Sequence, residues 1–173
     1  MNEPIRTGHA LVAAYEEVGR VGMNKLPFYN ARLTVEAVGF RDWEGHVVGV
    51  LISPWFMNIV LVPGAGDDWS GFAAAEATEW KFPHGKYDFH PCELHGAGLH
   101  LTAALFSDMG VFPDQTTARA VAREVMRQLF EHPDATDEEA SSPGQRLLER
   151  PVSRRGLFTM VAAAGEPGHD PDA

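Results

Sequence analysis

The chain has 173 residues, 45% hydrophobic and 22% charged, the balance of a folded globular domain rather than of a disordered or membrane-spanning chain. Its 24 acidic and 14 basic side chains leave a formal charge of −10. That balance argues against a nucleic-acid binder, which needs clustered Lys and Arg for phosphate, and suits a host for basic peptides.

The N-terminus lacks the charged-then-apolar pattern of a secretory signal, and residues 9–22 read as a first helix. Leu11, Tyr15, Val18 and Val21 recur at three- and four-residue steps, with Glu16, Glu17 and Arg20 on the other face. Residues 33–40 alternate as a strand, with Leu33, Val35 and Ala37 on one face, and residues 42–45 are expected to turn. Two β-branched runs follow, at 47–52 and 59–62, around the centre Pro54-Trp55-Phe56-Met57-Asn58. Pro54 interrupts the ladder there, and three large soft side chains stand where a turn is normally polar. Such side chains suit a surface that grips an apolar partner.

Residues 63–68 form a loop whose two glycines lack the Lys and Ser/Thr of a phosphate cradle. Residues 78–82 and 87–89 read as short strands around Pro83-His84-Gly85, and 99–106 as a central strand. Asp114 then caps the clearest helix, whose stripe of Ala118, Val121, Ala122, Val125, Met126, Leu129 and Phe130 suits packing on a sheet. The order predicts an α+β fold: a single domain over residues 5–130 with a largely antiparallel β-sheet packed against an N-terminal and a long C-terminal helix. Residues 131–145 are acidic and lack aromatics, which predicts a disordered linker, and 146–173 form a flexible tail.

Residues 84–100 hold four histidines and the chain's one cysteine, Cys92. Imidazole and thiolate are ligands that zinc and nickel prefer, so His90, Cys92 and His95 are the metal candidates. Against them, Pro91, Gly96 and Gly98 mark the segment as loop, and no pair of ligands shares a helix, so neither a metal nor another cofactor is expected. A Cys–His nucleophile would need an electropositive pocket and an oriented base, which the neighbours of Cys92 do not supply. No catalytic residue is assigned, and the chain is not expected to be an enzyme. With no secretory pattern and no apolar run near the ~20 residues that span a bilayer, it is expected to be cytoplasmic and not inserted in a membrane. The tail contains Ser153-Arg154-Arg155-Gly156-Leu157-Phe158 before an apolar run, resembling a twin-arginine export motif far from the N-terminal position where one operates. Its Arg154, Arg155, Leu157 and Phe158 would imitate a signal peptide in the protein's own groove.

On these residues the chain resembles the HybE/HupJ family of [NiFe]-hydrogenase maturation chaperones. The resemblance rests on Leu26-Pro27-Phe28-Tyr29-Asn30, residues 33–40, Trp43-Glu44-Gly45, the block 49–64, and Gly96-Ala97-Gly98 with Leu105-Phe106-Ser107. It covers roughly residues 26–130, and Asp108 departs from a proline in the family's pattern. The resemblance implies a non-enzymatic cytoplasmic chaperone. Its partners would be hydrogenase precursors, chiefly the small subunit with its twin-arginine signal peptide and also the large subunit, with a rubredoxin-type accessory protein alongside. For a basic-then-apolar guest, Trp43, Trp55, Phe56 and Met57 would offer apolar contact with Asn58 beside them, and Glu36, Glu44, Asp67 or Asp68 would face the paired arginines. Two alternatives remain from the sequence: a nickel- or zinc-handling accessory protein using the His/Cys cluster, and a structural partner of the folded large subunit.

Overall fold

The computed structural model describes residues 2–132, so the expected acidic linker beyond its first two residues and the whole Arg154-Arg155 tail lie outside the described residues. The first helix, α1 (Glu3–Val21), begins six residues earlier than its apolar stripe implies. The Asn2 side chain accepts from the Ile5 N–H, and Pro4 in the first turn gives up no hydrogen bond. Leu11 and Tyr15 are buried beneath it, whereas Val21, expected on the same stripe, is 65% exposed.

Six strands then form one antiparallel sheet: β1 (Glu36–Trp43), β2 (His46–Ile52), β3 (Met57–Val62), β4 (Thr78–Lys81), β5 (Lys86–Leu94) and β6 (Gly98–Phe106). Their spatial order is β1-β2-β3-β6-β5-β4. The second helix, α2 (Gln115–Leu129), starts at Asp114, whose carboxylate accepts from the Thr117 N–H at 2.7 Å. The helices lie on opposite faces. Under α2, Val48, Val50, Ile52, Met57, Ile59, Leu61, Phe82, Phe89, Leu101 and the helix's own stripe form the main core. Under α1, the alternate residues Leu51 and Val60 pack with Leu11, Tyr15 and Trp55. Burying each large apolar side chain is worth roughly 1.5–3 kcal/mol, so the α2 face carries most of the hydrophobic stabilisation.

Four local expectations change. The first strand spans 36–43 rather than 33–40, and Leu33 packs into the α2-side core while Val35 and Ala37 face α1. A bulge between Val38 and Arg41, with Gly39 at φ +67°, is what breaks the alternation read from the sequence. Asp42 and Trp43 belong to that strand, and the turn is only Glu44-Gly45, both at positive φ as a type I′ hairpin requires. The His/Cys stretch is no loop: residues 86–94 and 98–106 pair as a hairpin, Cys92 opposite His100. Pro91 is tolerated because β4 pairs only as far as Phe89, leaving that part of β5 on an edge.

Candidate functional site

The unusual block at 53–56 is the tight turn joining β2 to β3. Ser53 supplies the polar chemistry a turn needs: its hydroxyl oxygen accepts from the N–H groups of Trp55 at 3.2 Å and Phe56 at 3.0 Å. The Ser53 N–H donates to the Phe56 carbonyl at 2.8 Å, and the serine is fully buried. With the backbone satisfied from within, the flanking side chains are free to be apolar. Asn30 locks the turn from outside. Its N–H donates to the Pro54 carbonyl at 2.8 Å, and its amide nitrogen donates to the carbonyls of Met109 and Phe112 at 2.9 and 3.0 Å.

Beside this turn lies an open groove of about 230 Å³. Tyr29, Leu33, Val35, Pro54 and Trp55 form its apolar lining, and Glu16, Gly19, Arg20, Asn24 and Thr34 contribute its polar and small positions. Tyr29 stacks on Trp55 with 6.1 Å between ring centroids. A Cβ on Gly19 would stand 3.1 Å from the Trp55 ring, so a larger residue there would push the indole away by a few tenths of an ångström. Arg20 is already paired with Glu17 at 2.5 Å, which leaves Glu16 as the acidic group on the lining with no partner among the described residues. The exposed apolar side chains Val21 and Phe28 adjoin lining residues in sequence. An apolar floor with one acid on its rim can accept an extended or helical segment that is basic at one end and apolar beyond.

Deeper under α1 the groove's aromatic wall continues into a polar relay. Phe56 packs edge-on against Trp55 and Tyr15, at 5.5 and 5.2 Å. The Tyr15 hydroxyl lies 2.8 Å from His100 Nε2 and 3.6 Å from Cys92 Sγ. His100 Nδ1 donates to the Gly98 carbonyl at 3.0 Å, which can only accept, so Nε2 accepts from Tyr15. Burial pushes the His100 pKa below the ordinary imidazole value and keeps the ring neutral. Burial, reinforced by the Cys92 thiol, pushes the Tyr15 hydroxyl far above its ordinary value. The Tyr15–His100 hydrogen bond thus joins two buried polar groups within the packing under α1.

The sequence-derived site residues do not gather on one wall. Trp55 lines the groove, Phe56 backs it, and Asn58 sits half-buried on the same sheet face by alternation with Val60. Met57 is fully buried on the opposite face, and Trp43 stacks there on Phe82 at 4.2 Å. The four acids are placed elsewhere too. Glu36 is held by Arg119 at 2.6 Å and Gln115 at 2.6 Å. Burial raises its pKa, but those hydrogen bonds outweigh it and set the carboxyl below the usual range. Glu44 occupies the β1–β2 turn, Asp67 accepts from the Gly64 N–H at 3.0 Å and lies 2.9 Å from His46, and Asp68 accepts from the Ser70 N–H. Arg154, Arg155, Leu157 and Phe158 lie outside the described residues.

The metal candidates are also separated. Cys92 faces Tyr15, whereas His90 bonds the Glu76 carbonyl at 2.8 Å and His95 is exposed in the β5–β6 turn. Among the described residues no three His, Cys, Asp or Glu side chains converge as a metal-holding set. Reading the sequence missed Glu16, Gly19, Tyr29 and His100 as site residues. Tyr29 lay within a noted motif, and His100 in an apolar strand signalled a buried polar group in need of a partner.

Comparison with known proteins shows the family and the fold. The family model described as [NiFe]-hydrogenase assembly, chaperone, HybE matches residues 6–160, a longer span than the 26–130 that the sequence motifs cover. The chain is 40% identical over 142 residues to the probable rubredoxin HupJ of Rhodobacter capsulatus, covering 81% of this chain and 51% of that protein. It therefore spans about half the length of that relative. It is 36% identical over 160 residues to the hydrogenase expression/formation protein HupJ of Bradyrhizobium diazoefficiens, covering 91% of this chain and 92% of that one. The solution structure of HybE from Escherichia coli shares the fold, with a TM-score of 0.61 and 24% identity over 79% of this chain and 84% of that chain.

Proposed function

Because the chain belongs to the HybE family of [NiFe]-hydrogenase assembly chaperones, we propose that it holds a hydrogenase small-subunit precursor by its twin-arginine signal peptide until assembly is complete. The observation that carries this reading is the groove at Trp55, open and part apolar, with Glu16 on its lining in a protein of charge −10. A signal peptide is basic and then apolar. Its arginines would meet Glu16, and its apolar run would lie along Tyr29, Val35 and Trp55. Trp55 and Phe56 keep the role the sequence suggested, whereas Trp43 and Met57 serve the opposite core.

The role proposed is non-catalytic and cytoplasmic. Its support is the neutral, fully bonded relay at Tyr15 and His100, which lacks an activated group. Among the described residues no helix is long and apolar enough to cross a membrane. A calorimetric titration with a synthetic hydrogenase small-subunit signal peptide tests the reading. Glu16 is exposed, so Glu16→Lys should leave stability within about 0.5 kcal/mol of the parent. It should weaken binding about tenfold at low salt and flatten the salt dependence. Unchanged affinity in that variant would remove the peptide from this groove.

A further inference from the structure

The groove that suits a basic-then-apolar guest belongs to a chain that carries such a segment itself. Residues 2–132 hold sixteen acidic and ten basic side chains, a net charge of −6. Between 146 and 163 the balance reverses: Arg146, Arg150, Arg154 and Arg155 stand against Glu149 alone, and Gly156 opens an apolar run to Ala164. We propose that residues 150–164 occupy the Trp55 groove of the same molecule and compete there with the client peptide. This rests on the groove being the client site, and it adds regulation of that site by the chain's own tail.

Three further observations support it. The family model's match runs to residue 160, past the arginine pair, so this segment belongs to the matched unit rather than to an unrelated extension. The reach is ample. Twenty-one residues separate His132 from Arg154, and at ~3.3 Å each they extend to roughly 70 Å. A folded body of this size has a radius of gyration of only about 14 Å. The chemistry also matches in order: arginines for Glu16, then Leu157, Phe158 and Met160 for the floor built by Tyr29, Val35 and Trp55. A tethered segment competes at an effective concentration on the order of millimolar. An intrinsic Kd of about 0.1 mM then suffices to raise the apparent client Kd about tenfold.

The test compares the full-length protein with a full-length Arg154→Glu/Arg155→Glu variant, both titrated with two synthetic peptides: residues 150–165 of this chain, and a hydrogenase small-subunit signal peptide. Both peptides should bind the variant about tenfold more tightly than the parent, and Glu16→Lys in the variant background should abolish the gain. Equal signal-peptide affinity for parent and variant would overturn self-occupancy while leaving the client reading intact. If the 150–165 peptide shows the tenfold gain and the signal peptide binds neither chain, the client reading falls and the tail contact stands. If neither peptide binds either protein, both fall. A gain that disappears when the protein is diluted below micromolar would assign the contact to a neighbouring molecule's tail and overturn the intramolecular proposal.

Discussion

The sheet face under α2 and the face under α1 differ in kind. Among the described residues the first carries twenty-two buried side chains in one cluster, including Phe82, Phe89, Phe112 and Met109, and the second carries five. The α2 face is predominantly apolar, with Thr117 and Gln128 of α2 as buried polar residues beside it. The α1 face is thin, contains the bonded polar chain from Tyr15 through His100, and opens at Trp55 into a groove. On the proposed function, stability and recognition fall on opposite sides of one sheet. Side chains that would give affinity can stay partly uncovered because the other face supplies the burial energy. The close contact of Gly19 in α1 with Trp55, and the Ser53 turn, fall on the side where binding is proposed.

The largest effect that should separate the faces is Phe89→Ala. The ring is fully buried under α2, so its loss should cost about 3–5 kcal/mol in chemical denaturation. Below the unfolding transition, the signal-peptide affinity of the folded fraction should be unchanged. An affinity loss at full folding would break the division of labour.

A medium effect belongs to the α1 face and is read through pH. In the unfolded chain His100 takes up a proton near 6.5, whereas burial depresses its value in the folded one. Its stabilising contribution is therefore complete above pH 6.5. It declines as pH falls from there toward the native value, by at most about 1.4 kcal/mol per pH unit. His100→Gln keeps a polar group opposite Tyr15 but removes the titration. The variant's stability should fall less steeply than the parent's below pH 6.5, as measured by denaturation at successive pH values. Identical slopes would remove His100 as the titrating group.

The smallest effect sharpens the border between the faces. Arg119→Ala breaks the partly exposed pair with Glu36 and should change stability least of the three variants, by chemical denaturation. If Glu36 is a packing residue, as its bonds to Arg119 and Gln115 imply, calorimetry should show unchanged peptide binding. Stronger binding in this variant would return Glu36 to the site.

Elements with a local signature were legible in the sequence. Asp114 and the stripe from Ala118 to Leu129 announce α2, and the β-branched runs announce β2 and β3, because each follows a period set by its own backbone geometry. The errors arise where a distant partner decides. Gly39 at positive φ resets the register of β1, and Pro91 survives in β5 only because β4 ends two residues earlier. The candidate site was half legible for the same reason. The odd apolar turn drew attention to Trp55 and Phe56, but which face each neighbour takes depends on the pleat, and that sends Met57 to the opposite core. Acidity was visible as a total, whereas Glu16, the acid proposed for the site, sits on α1 and meets the groove only through the packing of Gly19 on Trp55.

The central claim, that the Trp55 groove receives the hydrogenase signal peptide, is tested most directly by heteronuclear NMR of the full-length protein during titration with that peptide. The account predicts that the backbone shifts of Gly19, Tyr29, Thr34 and Val35 and the Trp55 indole signal move first and furthest, while α2 and Phe89 stay still. Shifts centred on α2, or on the exposed part of β5 around His90, would contradict it.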